Sequence, residues 1–156
     1  MSMSTRLKGA AVTGALALGA SVVIAAPAQA HTVSSAIANG CGSGYSIVKD
    51  GQRTLKTSSG KVYGYVYLTY NPNNGYNCVV TRKTAYHGTP SKTLARIAVL
   101  NRDGSQFQRQ DWANYSHFAA IKAYGKGKCV AYWGDIRNPS GTVKASNGRW
   151  KYGNCG

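Results

Sequence analysis

Residues 61–85 place the tightest constraint on what this chain can become. The run 61–71 reads Lys-Val-Tyr-Gly-Tyr-Val-Tyr-Leu-Thr-Tyr-Asn, Pro72-Asn73-Asn74-Gly75 follows, and 77–85 returns as Asn-Cys-Val-Val-Thr-Arg-Lys-Thr-Ala. Val, Tyr and Thr fit a pleated, half-buried surface, and a tight turn between two such runs specifies an antiparallel hairpin. A period of two sorts the first run into faces. Val62, Gly64, Val66, Leu68 and Tyr70 form the face expected to meet a core. Tyr63, Tyr65, Tyr67 and Thr69 form the other.

The pattern repeats on either side. Residues 44–49 read as a strand closed by the turn dipeptide Asp50-Gly51, and 55–60 as a loop. Strand signals recur at 94–101, 105–109, 115–123, 129–136 and 149–152, with Gly-rich turns between them. The run 94–100 also fits a helix. Seven or eight short strands at near-regular spacing predict an all-β domain, an antiparallel sandwich or small barrel.

The first 30 residues belong to a different grammar. Arg6 and Lys8 precede an uncharged stretch at 9–26, and Pro27-Ala28-Gln29-Ala30 supplies small residues in an Ala-x-Ala cleavage pattern. This is the order of a secretory signal peptide, cut after Ala30, with the mature domain at 31–156. No Arg-Arg pair marks the twin-arginine route. After cleavage no segment is apolar enough to span a bilayer, so the expected location is extracellular.

An oxidising destination gives the cysteines a meaning. Cys41, Cys78, Cys129 and Cys155 all follow the cleavage point and are even in number, which reads as two disulfides. Three pairings exist. Cys41–Cys78 with Cys129–Cys155 is favoured, because each bridge then closes a short loop within one half of the chain. A zinc or redox site is disfavoured, since no two cysteines stand at Cys-x₂₋₄-Cys spacing. No metal or other cofactor is expected.

The chain carries a formal charge of +15, with 19 Lys and Arg against four acids, and every acid is an Asp. Losing Arg6 and Lys8 with the leader leaves +13. Charge of this size on one small domain favours polyanions: nucleic acid, teichoic or other anionic wall polymers, or anionic lipid. A specific nucleic-acid motif is not found.

Around the cysteines the wording is distinctive. Cys41-Gly42-Ser43-Gly44-Tyr45 opens the domain, and Val66-Tyr67-Leu68-Thr69-Tyr70-Asn71 leads through Asn74-Gly75-Tyr76 to Asn77-Cys78-Val79-Val80-Thr81. Lys83-Thr84, Gly88-Thr89, Gly127-Lys128-Cys129-Val130, Trp133-Gly134 and Asn154-Cys155-Gly156 follow. Over nearly the whole mature chain this resembles the spore-associated protein A family of secreted actinomycete proteins. The resemblance implies an extracellular protein found on or around spores and aerial hyphae, with no known enzyme activity.

Catalytic patterns are sparse. A glycosidase needs an acid and a carboxylate at a set separation, and Asp50, Asp103 and Asp135 lie beside glycines at expected turns. Gly-x-Ser-x-Gly, His-Glu-x-x-His and phosphate-loop motifs are absent from the sequence. His87 and His117 with a Lys or Arg are the residues a metal-independent ribonuclease would use, as base, acid and charge stabiliser. The better-motivated expectation is non-catalytic binding. Tyr63, Tyr65 and Tyr67 would project in a row flanked by Lys61, Arg82 and Lys83, aromatic faces to stack and cations to follow an anionic chain. The competing arrangement buries the tyrosines against a second sheet, and in either case Trp112, Trp133 and Trp150 are expected as core or rim packing rather than ligand platforms. Adhesion to anionic polymers at a spore or cell surface is the leading function, and a secreted antimicrobial or inhibitor-like module the alternative.

Overall fold

The computed structural model describes residues 31–156; the leader and cleavage site expected from the sequence lie outside the described residues. The domain is one short helix, α1 (Val33–Cys41), and eight antiparallel strands: β1 (Ser46–Lys56), β2 (Val62–Asn71), β3 (Tyr76–Lys83), β4 (Ser91–Leu100), β5 (Gln106–Tyr115), β6 (Phe118–Tyr124), β7 (Cys129–Arg137) and β8 (Lys144–Gly153). They form a single sheet in the order β5-β4-β7-β8-β1-β2-β3-β6, curled into a nearly closed barrel. The two sheet ends, β5 and β6, are consecutive in the chain and joined by Ser116 and His117. Of the two architectures the strand pattern allows, the barrel is the one adopted.

The hairpin at 61–85 pairs in one unbroken register, from Asn71 opposite Tyr76 to Gly64 opposite Lys83. Other elements differ from expectation in instructive ways. Asp50-Gly51 does not end a strand. It is a bulge within β1, where the register against β2 slips between Ile47 and Gln52 and Asp50 takes a φ of 59°. Asp tolerates that left-handed conformation, and a bulge lets one strand bend with the barrel wall. Residues 55–56, expected in a loop, extend β1, and Leu55 is fully buried. The run 94–100 is strand throughout, paired to β5 on one side and β7 on the other. Asp135 is not a turn residue but lies inside β7.

The barrel interior is filled by Leu55, Val66, Leu68, Val79, Ile97, Val99, Val130, Tyr132 and Ile136, with alanines between them. Opposite walls come close. A Cβ at Gly134 would stand 2.7 Å from both Val66 Cβ and Thr81 Oγ1, so a side chain there would force the walls apart.

The helix was not visible as periodicity. Its N-cap is Thr32, whose side chain accepts from the Ser35 amide at 3.1 Å. Its inner side, Ala36, Ile37 and Cys41, packs on Cys78 and Val80 of β3, joined by Phe118 and Ala120 of β6. The disulfides are Cys41–Cys78, which fastens α1 to β3, and Cys129–Cys155, which fastens the C-terminus to β7. This is the pairing favoured from the sequence.

Candidate functional site

The tyrosine row does not form an open platform. Tyr65 is half-buried, with the Arg82 guanidinium 5.7 Å from its ring. Tyr67 is 2% exposed, and burial pushes its phenol above the usual range. Tyr63 is buried at the barrel end, its ring edge-on to Tyr86 at 5.2 Å. Lys61 is exposed, with Nζ 5.9 Å from the Tyr63 and Tyr86 rings. Arg82 turns toward the N-terminal segment and donates to the His31 carbonyl at 2.7 Å. Lys83 is completely buried. Its Nζ donates to Thr89 O, Ser91 Oγ and Tyr115 O at 2.6, 2.8 and 2.8 Å, and burial lowers its pKa to about 8. The tyrosines share a face that is largely covered, and Arg82 and Lys83 are spent on contacts within the fold.

Exposed aromatic surface with cations beside it occurs instead across β5, β4, β7 and β8. Directly paired residues of an antiparallel sheet share a face. Ala95, Ile97 and Val99 point inward, so Lys92, Leu94 and Arg96 point outward. Their partners therefore do too: Trp112 and Gln110 on β5, and Asp135 and Trp133 on β7. Trp112 is 38% exposed and lies between two cations, Lys92 Nζ 6.0 Å and Arg137 Cζ 5.5 Å from its ring. Arg96 is fixed by donating through Nε and Nη2 to Gln110 Oε1 at 3.1 and 2.7 Å, and its guanidinium also stands 5.7 Å from Trp150. Trp150, 46% exposed, stacks on Trp133 with ring centroids 5.3 Å apart.

Leu94, Arg96, Gln110, Trp112, Asp135 and Arg137 enclose a groove of about 260 Å³. Asp135 is 6% exposed, and its Oδ1 is buried without a hydrogen-bond partner among the described residues. Burial raises its pKa, an effect opposed by Lys144, Arg137 and Arg96. A carboxylate so placed is an acceptor awaiting a donor. The groove thus offers a flat aromatic face, fixed cations and one unspent acceptor.

Little of the positive charge is neutralised within the fold. Among the described residues the ion pairs are those of Asp50 with Arg53 at 2.7 Å and with Arg149 at 3.5 Å. Asp103 accepts from Ser105, and Asp111 from the Tyr115 hydroxyl. Most Lys and Arg side chains are therefore free to meet an outside anion.

A second constellation forms where three chain segments meet. His31 precedes α1, His87 lies in the β3–β4 connection, and His117 lies between β5 and β6. His117 Nδ1 is 3.0 Å from His87 Nε2, and the His31 backbone N is 3.2 Å from the same atom. The fold brings together the two histidines singled out from the sequence and adds His31, which no spacing rule connects to them. Burial, together with the neighbouring His117 and His31, lowers the His87 pKa.

The fold and site define a class: a disulfide-fastened, strongly basic β-barrel, one wall sealed by a helix and the other carrying an open tryptophan–arginine groove. No family profile and no solved structure matches the chain. Along almost its full length it is similar to spore-associated protein A of Streptomyces coelicolor, 35% identical over 152 residues that cover 95% of this chain and 87% of that protein. The chain belongs to the spore-associated protein A family.

Proposed function

We propose that this protein is exported by its leader, associates with the spore or cell surface, and holds there by binding an anionic glycopolymer in the Trp112 groove. The relative's name supports the location. The observation that carries the binding is Trp112 set between Lys92 and Arg137 above the unpartnered Asp135 oxygen. An aromatic face stacks on a sugar ring or a base, and the flanking cations attract acidic substituents. Asp135 favours the sugar, because a carboxylate accepts from the hydroxyl groups that a sugar ring carries at its edge.

We assign the protein no reaction. A two-histidine ribonuclease places its phosphate between base and acid, whereas His87 and His117 are in direct contact at 3.0 Å.

The test is retention of the secreted protein on immobilised teichoic acid, on acidic polysaccharide, on neutral glucan and on single-stranded DNA. Retention on the acidic glycopolymers with release by moderate salt supports the proposal, since exposed charges are screened beyond about 8–10 Å at physiological ionic strength. Undiminished retention of a Trp112→Ala, Arg137→Ala variant, or tighter retention on DNA than on any glycopolymer, overturns it.

A further inference from the structure

The geometry points to a transition-metal site at His31, His87 and His117, completed when the leader is removed and taking copper(II) in preference to other divalent ions. One ligand atom from each of the three residues lies within 4.8 Å of the others. The closest approaches, 3.0 Å for His117 Nδ1 to His87 Nε2 and 3.2 Å for His31 N to the same atom, are hydrogen-bond distances. They are also close to the separation of two nitrogens sharing one ion, about 2.9–3.4 Å for metal–nitrogen bonds of about 2.0–2.1 Å.

The metal-free arrangement is poorly satisfied as hydrogen bonding. His87 Nε2 has one in-plane lone pair, yet two nitrogens approach it. To accept from them, the ring must carry its proton on Nδ1, and that atom is buried without a partner among the described residues. A metal ion gives the converging nitrogens a common acceptor and removes the competition for one lone pair.

The site is also held in place from outside. Arg82 donates to the His31 carbonyl at 2.7 Å. The His31 ring stands edge-on to His117 at 4.7 Å and to Phe118 at 5.9 Å. Thr32 caps α1 immediately afterwards, and α1 is fastened to β3 by the Cys41–Cys78 bridge. An ion here would meet a pre-positioned cluster with its entropy cost largely met by the fold.

The donor chemistry selects the metal. All the converging atoms are nitrogens, with no carboxylate among them, which disfavours magnesium and calcium and suits copper, nickel and zinc. Copper(II) stands highest in affinity among these and accepts a planar set of nitrogens. Hydrolysis of the Ala30–His31 bond, water adding across it, leaves a carboxylate on Ala30 and a primary amine on His31. That amine, with an ordinary pKa of about 8, loses its proton on binding and joins its own imidazole as a chelate. Before cleavage the same nitrogen is an amide without an available lone pair. Export would thus mature the site. This departs from the sequence-based expectation of no metal, which rested on cysteine spacing and known motifs.

The experiment uses protein recovered from the culture medium, its first residue read by mass spectrometry, titrated with copper(II) chloride and zinc(II) chloride. The expected result is one equivalent of copper(II) bound at micromolar or lower Kd, with electron paramagnetic resonance showing coupling to at least three nitrogens. His87→Gln and His117→Gln should each weaken copper binding about tenfold or more while the β-sheet circular dichroism persists. A Gly inserted between Ala30 and His31 should cut copper affinity by a similar factor and spare zinc. Full copper affinity in both Gln variants would show binding by the amino-terminal peptide alone and overturn the site, as would absence of stoichiometric binding. An unchanged affinity in the insertion variant would overturn the amine ligand and the copper preference with it. If the Gln variants do not fold, the nitrogen count in the wild-type spectrum decides, two or fewer being contrary.

Discussion

On the β3–β6 side of the barrel, Cys78, Val80, Phe118 and Ala120 make an apolar patch on the outward face, and α1 lies over it. On the β4–β7 side, the outward positions include Lys92, Leu94, Arg96, Gln110, Trp112, Trp133, Asp135 and Arg137, and among the described residues no helix covers them. Inward residues on both sides are the same kind of aliphatic and small side chains. The difference lies wholly in the alternate positions. Where these are apolar, the wall needs a lid and has one. Where they are aromatic and cationic, the wall can face water and still bind. Changes on the covered side should therefore cost stability, and changes on the open side should cost binding.

The largest effect should come from unfastening the lid. Replacing Cys41 and Cys78 together by Ala releases a bridge across a sequence separation of 37 residues. Chain-entropy arguments put the loss at about 3–4 kcal/mol, read as a fall in the denaturant midpoint. The equivalent change at Cys129 and Cys155, with a separation of 26, should cost slightly less. An unaltered midpoint in the first variant would mean that α1 holds by packing alone. Packing itself is probed by Ile37→Ala. Ile37 is 8% exposed against Val80 and Cys78, and the loss should be about 2 kcal/mol.

The barrel end between the two sides gives a pH signature. Lys83 titrates at about 8 in the folded protein, against 10.5 unfolded. Between those values the unfolded chain binds more protons, so stability rises with pH. Below about pH 8 the buried ammonium is a constant burden, offset by its three acceptors. Denaturant midpoints should therefore increase from pH 7.5 to 9.5 in the wild type. Lys83→Met should abolish that increase and lower stability at neutral pH by about 1–3 kcal/mol, because three oxygens lose their donor. A flat or falling midpoint in the wild type would show that the three hydrogen bonds hold the ammonium at its ordinary pKa.

How much of this was legible beforehand varies with the range of the interaction. The hairpin 61–85 was readable because its alternation and turn chemistry are local. The bridges were readable because short loops are favoured. The helix was not, since nine residues ending in Ala-Asn-Gly-Cys carry little periodicity, and its stability comes from the wall beneath it. The tyrosine row was legible as a face but not as a covered one: alternation says which residues share a side, and only the tertiary fold says what lies against it. Trp112 and Arg137 are neighbours because β5 and β7 flank β4, a placement that strand spacing does not encode. The histidine cluster is legible in parts, as His87 and His117, while His31 joins them through the path of α1.

The smallest stability change, and the sharpest test of the comparison, belongs to the open face. Trp112→Ala removes a side chain that is 38% exposed and forms one side of a groove rather than a core. Its effect on unfolding should stay within about 0.5 kcal/mol. Its effect on glycopolymer binding should be tenfold or more if the ring is the stacking surface, since one base or sugar stacked on an aromatic is worth about 1–3 kcal/mol. Trp150→Ala provides the internal control. Trp150 already spends one face on Trp133, so its loss should weaken binding less, about threefold, through the freed Arg96. If Trp150→Ala weakened binding more than Trp112→Ala, the binding surface would lie over β7 and β8 rather than in the groove. If both variants lowered stability as much as Ile37→Ala, the open wall would be packing surface after all, and the contrast between the two sides would fail.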